Sequence, residues 1–154
     1  MEKQMHKALE NFQQHTTDFL DALALFPERS RNIAPEGEWS AAYIVHHISD
    51  GETHFAGRFL LTLGADNPPL VLFNEEWYPE VLHYEKRTVN KSLAAIVGMR
   101  SMILETLSLV DDDKWNRTMA REDGTSVTLA DLVLQADGHL TGHIDQLRKL
   151  AATL

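Results

Sequence analysis

The chain has 154 residues, 44% of them hydrophobic and 24% charged, which suits a single globular domain over residues 1–154. The absence of cysteine excludes disulfides, thiolate metal sites and a cysteine nucleophile, and the net charge of −9 argues against a nucleic-acid partner. No apolar run is long enough for a membrane span, and the N-terminus lacks the layout of a signal peptide, so we expect a cytoplasmic protein without a membrane partner.

Four segments have the i, i+3/i+4 spacing of apolar residues that predicts amphipathic helices: 5–26, 40–63, 89–110 and 128–150. Ser40 is a candidate N-cap of the second helix. Thr128 and Asp131 resemble a capping box at the start of the fourth, with Asp in place of the usual Glu. Four such helices share one core most economically as a four-helix bundle, so the predicted fold class is all-α.

The connection between the second and third predicted helices, residues 64–88, is too long for a simple turn. It contains three prolines and an aromatic cluster that includes Trp77 and Tyr78. Loops of this length are often functional or contain a short helix, so Trp77 and Tyr78 are candidates to cover a binding site. The later segment RTMAREDGTS, at 117–126, predicts a small irregular hairpin around its Asp-Gly pair.

Eight histidines point toward chemistry, and two of them lie four residues apart in the fourth predicted helix. His139 and His143 therefore project from one face, roughly 80° and 40° from the apolar stripe, between the bundle interior and the surface. Such a pair can chelate a metal, as in H-E-x-x-H, but the intervening Leu-Thr-Gly lacks that motif's glutamate. The alternative is that both side chains form hydrogen bonds within the bundle, and the spacing alone does not separate the two.

The second predicted helix contains adjacent histidines that point about 100° apart. His46 lies opposite the apolar stripe and is predicted to face solvent, whereas His47 lies on its shoulder. His54 has nearly the angular position of His47 but lies roughly 10 Å farther along the axis, so one ion cannot easily take both. His47 is the better candidate ligand, with Asp50 and His54 in supporting roles. By pattern alone, each is more often an ordinary surface or hydrogen-bonded residue.

Arg100 falls inside the apolar stripe of the third predicted helix. The interpretation we favour is that its stem runs along the core while its head reaches solvent. Alternatively, the head meets a carboxylate, including that of a bound ligand, and Arg100 is then a candidate cofactor-binding residue. The isolated histidines His6, His15 and His83 are interpreted as structural or surface residues.

Several stretches together resemble the DinB-like (YfiT-like) superfamily of metal-dependent four-helix proteins. The matching pieces are EWSAAYIVHHISDGE at 38–52, DGTSVTLADLVLQADGHLTGHIDQL at 123–147 and the long connection. In that family a Trp-Ser pair opens the second helix, and a histidine eight residues after the tryptophan is followed by an acidic residue. Trp39, Ser40, His47 and Asp50 match this pattern. The resemblance covers most of the chain.

The family's last helix has H-x-x-x-H followed by glutamine, matched here by His139, His143 and Gln146. The resemblance thus implies a three-histidine metal site formed by His47, His139 and His143. Three neutral imidazoles leave a coordination position open, as in catalytic metal sites. Zinc and nickel suit all-nitrogen ligation better than calcium or magnesium, and iron and manganese are also compatible.

The resemblance implies a metal-dependent enzyme that acts on a small molecule. Two chemistries follow from it: hydrolysis of an amide or ester, and transfer of a low-molecular-weight thiol to an electrophile. Asp50 or His54 would orient a ligand or move a proton, and the loop with Trp77 and Tyr78 would cover the site. The rival class is a non-catalytic metal-binding or helical interaction protein. A homodimer is also expected from the resemblance.

Overall fold

The computed structural model describes residues 2–153, and these contain five α-helices and one β-hairpin. The helices are α1 (Glu2–Ala24), α2 (Ala41–Gly64), the single turn α3 (Tyr78–Val81), α4 (Val89–Ser108) and α5 (Leu129–Ala151). Strands β1 (Thr118–Ala120) and β2 (Ser126–Thr128) pair antiparallel. The four long helices form the bundle that the sequence predicts. No helix within residues 2–153 combines the length and apolar character needed to cross a membrane.

Side-chain caps determine where two of the long helices begin. Ser40 precedes α2, and its hydroxyl accepts a hydrogen bond from the Tyr43 N–H at 3.3 Å. Thr128 and Asp131 form a complete capping box at the start of α5, with each side chain accepting from the other residue's N–H. Capping satisfies N–H groups that have no partner inside the helix. Both predicted helix starts are confirmed.

The bundle has a square arrangement in which α2 packs against α4 and α5, and α1 packs against the same two helices. Helices α1 and α2 therefore lie at opposite corners, as do α4 and α5. Two clusters of buried apolar residues fill the space between the helices, one including Phe12, Phe59 and Leu107, the other Phe19, Ile44 and Leu140. Because α2 has a bundle helix on two sides, it has more than one buried face.

His46 is buried, with 1% of its surface exposed, so the prediction that it faces solvent is wrong. Its Nδ1 lies 2.8 Å from the Ser92 hydroxyl on α4, and its ring packs 5.5 Å from the ring of Tyr84. The helical-wheel argument assumed one buried face for α2. Helix α4 and the turn at Tyr84–Lys86 cover the face that it assigned to solvent.

Arg100 is 2% exposed, so the favoured interpretation that its head reaches solvent is wrong. Its Nη1 donates to Glu52 Oε1 at 2.7 Å and its Nη2 to Asp137 Oδ1 at 3.2 Å, while Nε donates to the Thr16 hydroxyl at 2.8 Å. Carboxylates from α2 and α5 thus neutralise it inside the bundle. These partners belong to the protein, so the geometry gives no support to Arg100 as a cofactor-binding residue.

The long connection is attached to the bundle near both of its ends. Near its start, the Leu70 N–H donates to the Ala120 carbonyl at 2.8 Å, and the Ala120 N–H donates to the Pro68 carbonyl at 2.9 Å. Near its end, the Tyr84 hydroxyl and the Arg87 guanidinium both bind a carboxylate of α2. The connection contains α3 and short 3-10 turns, in agreement with the expectation of a short helix.

Candidate metal centre

Helices α2 and α5 bring three histidines together. His47 Nε2 lies 2.9 Å from His139 Nε2, although the two residues are 92 positions apart in the chain. One ring nitrogen from each of His47, His139 and His143 lies within 4.8 Å of the other two. His47 is buried, while His139 and His143 are half-buried. The cluster therefore lies between interior and surface, where the helical wheel had placed the α5 pair.

Gln146 determines which nitrogen of His143 faces the cluster. The Nδ1 of His143 lies 2.7 Å from Gln146 Oε1, one helical turn away. Because a carbonyl oxygen can only accept, Nδ1 carries the proton and Nε2 keeps its lone pair. Metal-binding histidines usually have such a partner on the second nitrogen. The glutamine of the H-x-x-x-H-x-x-Q pattern thus orients the second histidine.

Gly51 gives the His139 ring its space. A Cβ atom at Gly51 would lie 3.0 Å from His139 Cε1 and 3.4 Å from Nδ1, closer than ordinary van der Waals contact. His139 Nδ1 is buried and has no hydrogen-bond partner among the described residues. Sequence reasoning missed Gly51. The available signal was a glycine inside a predicted helix, which costs stability relative to alanine and often indicates a close contact.

Burial keeps the three imidazoles neutral. Desolvation, together with a smaller repulsion from His143, lowers the pKa of His47 and of His139 to about 4. Burial also lowers the pKa of His143, against a smaller raising effect of Gln146. A neutral imidazole has a free lone pair, whereas an imidazolium has none. All three side chains are therefore in the protonation state that a metal ion requires.

Two aromatic rings form apolar walls beside the histidines. The Trp39 ring lies edge-on to His47, with 5.1 Å between centroids, and Phe55 lies 6.0 Å from His139. Trp39 immediately precedes Ser40, the N-cap of α2. In the Trp-Ser pair, Trp39 therefore forms a wall of the site, and Ser40 caps the helix that contains His47.

Glu75 is a charged neighbour of the cluster that sequence reasoning missed. Its Oε2 lies 3.7 Å from His47 Nε2, and its side chain is half exposed. It belongs to the 3-10 turn Glu75–Trp77, which the Asn74 side chain caps by accepting from the Glu76 N–H. Burial dominates the pKa of His139 and lowers it, and the negative charge of Glu75 opposes that effect. No periodic pattern in the loop could have identified this residue.

Asp50, predicted in a supporting catalytic role, is not one of the residues that the structure brings into the cluster. Its Oδ2 accepts hydrogen bonds from the Tyr84 hydroxyl and from Arg87 Nη1, each at 2.7 Å. These contacts attach the end of the long connection to α2. The structure thus shows an anchoring contact for Asp50 where the sequence suggested a proton-transfer group.

His54 on α2 contacts Tyr78 in the long connection. His54 Nε2 lies 2.7 Å from the Tyr78 hydroxyl, and the His54 ring stacks on Phe73 at 3.7 Å. The structure does not bring His54 into the cluster, and its contacts hold the connection against α2. Trp77, on the same turn as Glu75, is 66% exposed. The proposal that Trp77 covers a ligand stays a prediction.

The cluster fits a transition-metal ion. Nitrogens bound to one tetrahedral zinc ion at about 2.0–2.1 Å lie roughly 3.3 Å from one another. The closest pair here, at 2.9 Å, is slightly tighter than that, and all three nitrogens lie within 4.8 Å of one another. Small side-chain adjustments therefore suffice. Cysteine is absent and the three imidazoles are neutral, so the donor set suits zinc or nickel better than magnesium or calcium.

A sequence model of the DinB superfamily matches residues 8–147. The chain belongs to the DinB superfamily. A Bacillus cereus relative (strain ATCC 10987 / NRS 248) is 31% identical over an alignment of 117 residues that covers 73% of this chain. Another, from strain AH820, is 28% identical over 116 residues. Both are named "Putative metal-dependent hydrolase", and the match spans 66% of each relative, just under two thirds of its length.

Two solved structures share the fold of this chain. YfiT from Bacillus subtilis, described as "a probable metal-dependent hydrolase with an unusual four-helix bundle topology", superposes with a TM-score of 0.80. The identity is 19%, and the match covers 97% of this chain and 88% of YfiT. A mycothiol-dependent maleylpyruvate isomerase matches with a TM-score of 0.74 at 12% identity, over 92% of this chain and 60% of the isomerase. At these identities the superpositions show a shared fold alone.

Proposed function

We propose that His47, His139 and His143 hold one divalent transition-metal ion and that the protein is a metal-dependent hydrolase of a small molecule. The observation that supports this most directly is the convergence of three neutral imidazoles from α2 and α5 within 4.8 Å. The names of the Bacillus cereus relatives and of YfiT agree with it. Zinc and nickel are the first candidates, followed by iron and manganese.

Such an ion, when bound, lowers the pKa of a water or thiol at its open coordination position. The chain's own residues prepare the site for this chemistry. Gln146 orients the His143 ring, and Gly51 leaves room for His139. Trp39 and Phe55 give the site apolar walls, which reduce its contact with bulk water. Rigid support of this kind keeps the ligands in place for catalysis.

A second candidate function is transfer of a low-molecular-weight thiol to an electrophile. The fold shared with a mycothiol-dependent isomerase favours it. Because the chain has no cysteine, the thiol would arrive with the cosubstrate. A non-catalytic metal-binding or helical interaction protein is the rival class, and the homodimer also stays a prediction.

The test begins with protein purified without a histidine tag. Elemental analysis of the wild type should find one transition-metal ion per chain. The His143→Ala variant should lose it, whereas the exposed His6→Ala variant should retain it. The ion should also stabilise the wild type, because a ligand at about 100 times its Kd adds about 2.7 kcal/mol to the free energy of unfolding. Thermal denaturation of the same three proteins, with and without a chelator, measures this difference.

Assays with amide, ester and thiol-transfer substrates then separate the candidate functions. Hydrolysis lost in His143→Ala supports the hydrolase, and turnover that requires an added thiol supports the transferase. A full metal content without turnover of any substrate favours the non-catalytic protein. Metal at background level in the wild type, or unchanged in His143→Ala, contradicts the three-histidine site itself.

A further inference from the structure

Glu75 is the acidic residue beside the histidines whose charge has no basic partner. Nearby carboxylates on the bundle helices each have a basic partner: Asp50 pairs with Arg87, Glu52 with Arg100, and Asp137 with both Arg100 and His15. Glu75 contacts His47, which is neutral, and forms no ion pair with lysine or arginine among the described residues. No lysine or arginine therefore offsets the effect of its carboxylate on the space around the cluster.

The position of Glu75 directs that charge at the place where a ligand would enter. Its carboxylate lies 3.7 Å from His47 Nε2, the same nitrogen that lies 2.9 Å from His139 Nε2. Glu75 comes from the exposed long connection, whereas all three histidines come from bundle helices. The Glu75 side chain is half exposed and that of His47 only 4% exposed, so the carboxylate lies on the solvent side of the cluster.

We propose that Glu75 repels anionic ligands from the open side of the histidine site and thereby selects uncharged or cationic substrates over carboxylates and phosphates. The inference rests on the proposed metal site and specifies which charge its substrate has. Like charges a few ångströms apart in a partly buried site repel strongly, whereas solvent weakens the effect at exposed positions. The apolar rings of Trp39 and Phe55 lower the polarity around the cluster, and this preserves the repulsion between Glu75 and an anionic ligand.

The test uses protein loaded with Co²⁺, whose visible absorption changes when an added ligand binds the ion. Wild type, Glu75→Gln and the control Glu76→Gln are titrated with thiocyanate at constant ionic strength. Glu76 is the matched control because it is an exposed glutamate on the same turn. Imidazole serves as the uncharged probe. The affinity for Co²⁺ itself is measured by competition with a chelator.

Glu75→Gln should bind thiocyanate about tenfold more tightly than the wild type, because a half-exposed charge is removed. It should bind Co²⁺ several-fold more weakly and imidazole equally well. Glu76→Gln should match the wild type. Added salt should reduce the difference in thiocyanate affinity by screening. Opposite changes in the affinities for Co²⁺ and for thiocyanate identify a charge effect, since a damaged site would bind both more weakly.

Equal thiocyanate affinity in wild type and Glu75→Gln overturns the inference while leaving the metal site intact. The same gain in Glu76→Gln also overturns it, because the effect would then come from overall surface charge. If the wild type takes up no Co²⁺, the proposed metal site fails and the selectivity fails with it. The Co²⁺ absorption recorded before any titration distinguishes this last result from the others.

Discussion

Gly51 lies on the face of α2 that meets α5, and a Cβ atom there would lie only 3.0 Å from His139 Cε1, so the ring would have to move. Gly51→Ala should therefore displace His139 and weaken metal binding by at least tenfold, a typical effect of perturbing the support of a ligand. The fold should survive, because alanine is favoured over glycine inside a helix by about 1 kcal/mol. Metal affinity by chelator competition and the midpoint of thermal unfolding measure both effects.

Gly57 provides the control on the same helix, because a Cβ atom there would meet nothing within 4 Å. Gly57→Ala should retain metal affinity and gain slightly in stability. If Gly51→Ala bound metal as tightly as Gly57→Ala, the close contact with His139 would have no bearing on the site.

Pattern alone made the three histidines candidates, and only the family resemblance grouped them into one site. His139 and His143 share a helix face at i, i+4, and His47 lies on the shoulder of the α2 stripe. Glu75 belongs to no such pattern. It reaches His47 only because of the path that a loop of irregular conformation takes, and that path depends on tertiary contacts that a local pattern does not encode.

At the level of elements, Arg100 connects four helices through a single side chain. From α4 it donates hydrogen bonds to Glu52 on α2, Asp137 on α5 and Thr16 on α1. Arg100→Met should lower the free energy of unfolding by about 3–5 kcal/mol, because the buried Glu52 would remain without its cation and the half-buried Asp137 would keep only His15. Urea denaturation of metal-free protein measures the loss.

The double variant Arg100→Met/Glu52→Gln should recover part of that loss, because it removes the uncompensated charge of Glu52. A loss below about 1 kcal/mol in the single variant would instead match a solvent-exposed pair, contrary to the 2% exposure of Arg100.

The long helices and their starts were predictable from apolar spacing and from the Ser40 and Thr128 caps. The second buried face of α2 was not predictable. An apolar stripe identifies the most hydrophobic face of a helix, but it gives no information on a second face that is buried through polar residues. His46 shows this directly, since it is buried through a hydrogen bond to Ser92.

For the whole molecule, buried neutral histidines make stability depend on pH. Burial lowers the pKa of His46, His47 and His139 to about 4, whereas an unfolded histidine has a pKa of about 6.5. Their contribution is therefore fully present above pH 6.5 and is lost as the pH falls toward 4, because the unfolded chain binds protons first. The slope is at most about 1.4 kcal/mol per pH unit for each group.

Urea denaturation of chelator-treated protein at pH 7.5, 6.0 and 5.0 checks this dependence. His46→Gln removes one titrating group outside the metal site, so its stability should fall less steeply with pH than that of the wild type. Equal stability of the wild type at pH 7.5 and 5.0 would show that these imidazoles are protonated as easily in the folded protein as in the unfolded chain.

The all-α class followed from four amphipathic segments, but the pairing of the helices did not. Each long helix has an apolar stripe that fits more than one neighbour, so several bundle arrangements satisfy the same pattern. The arrangement found, with α2 between α4 and α5, is what brings His47 to His139. The histidine cluster therefore depends on long-range packing that local patterns do not specify.

The long connection is fastened near its start to Ala120 and near its end to Asp50, and the residues between these points include Glu75 and Trp77. Such an arrangement makes residues 71–83 exchangeable, provided that the replacement keeps the contacts that Phe73 and Tyr78 make with His54 on α2. A graft of the corresponding stretch from another protein of this fold, joined at the same two attachment points, would give the bundle a new rim of side chains around the histidines while leaving its interior untouched.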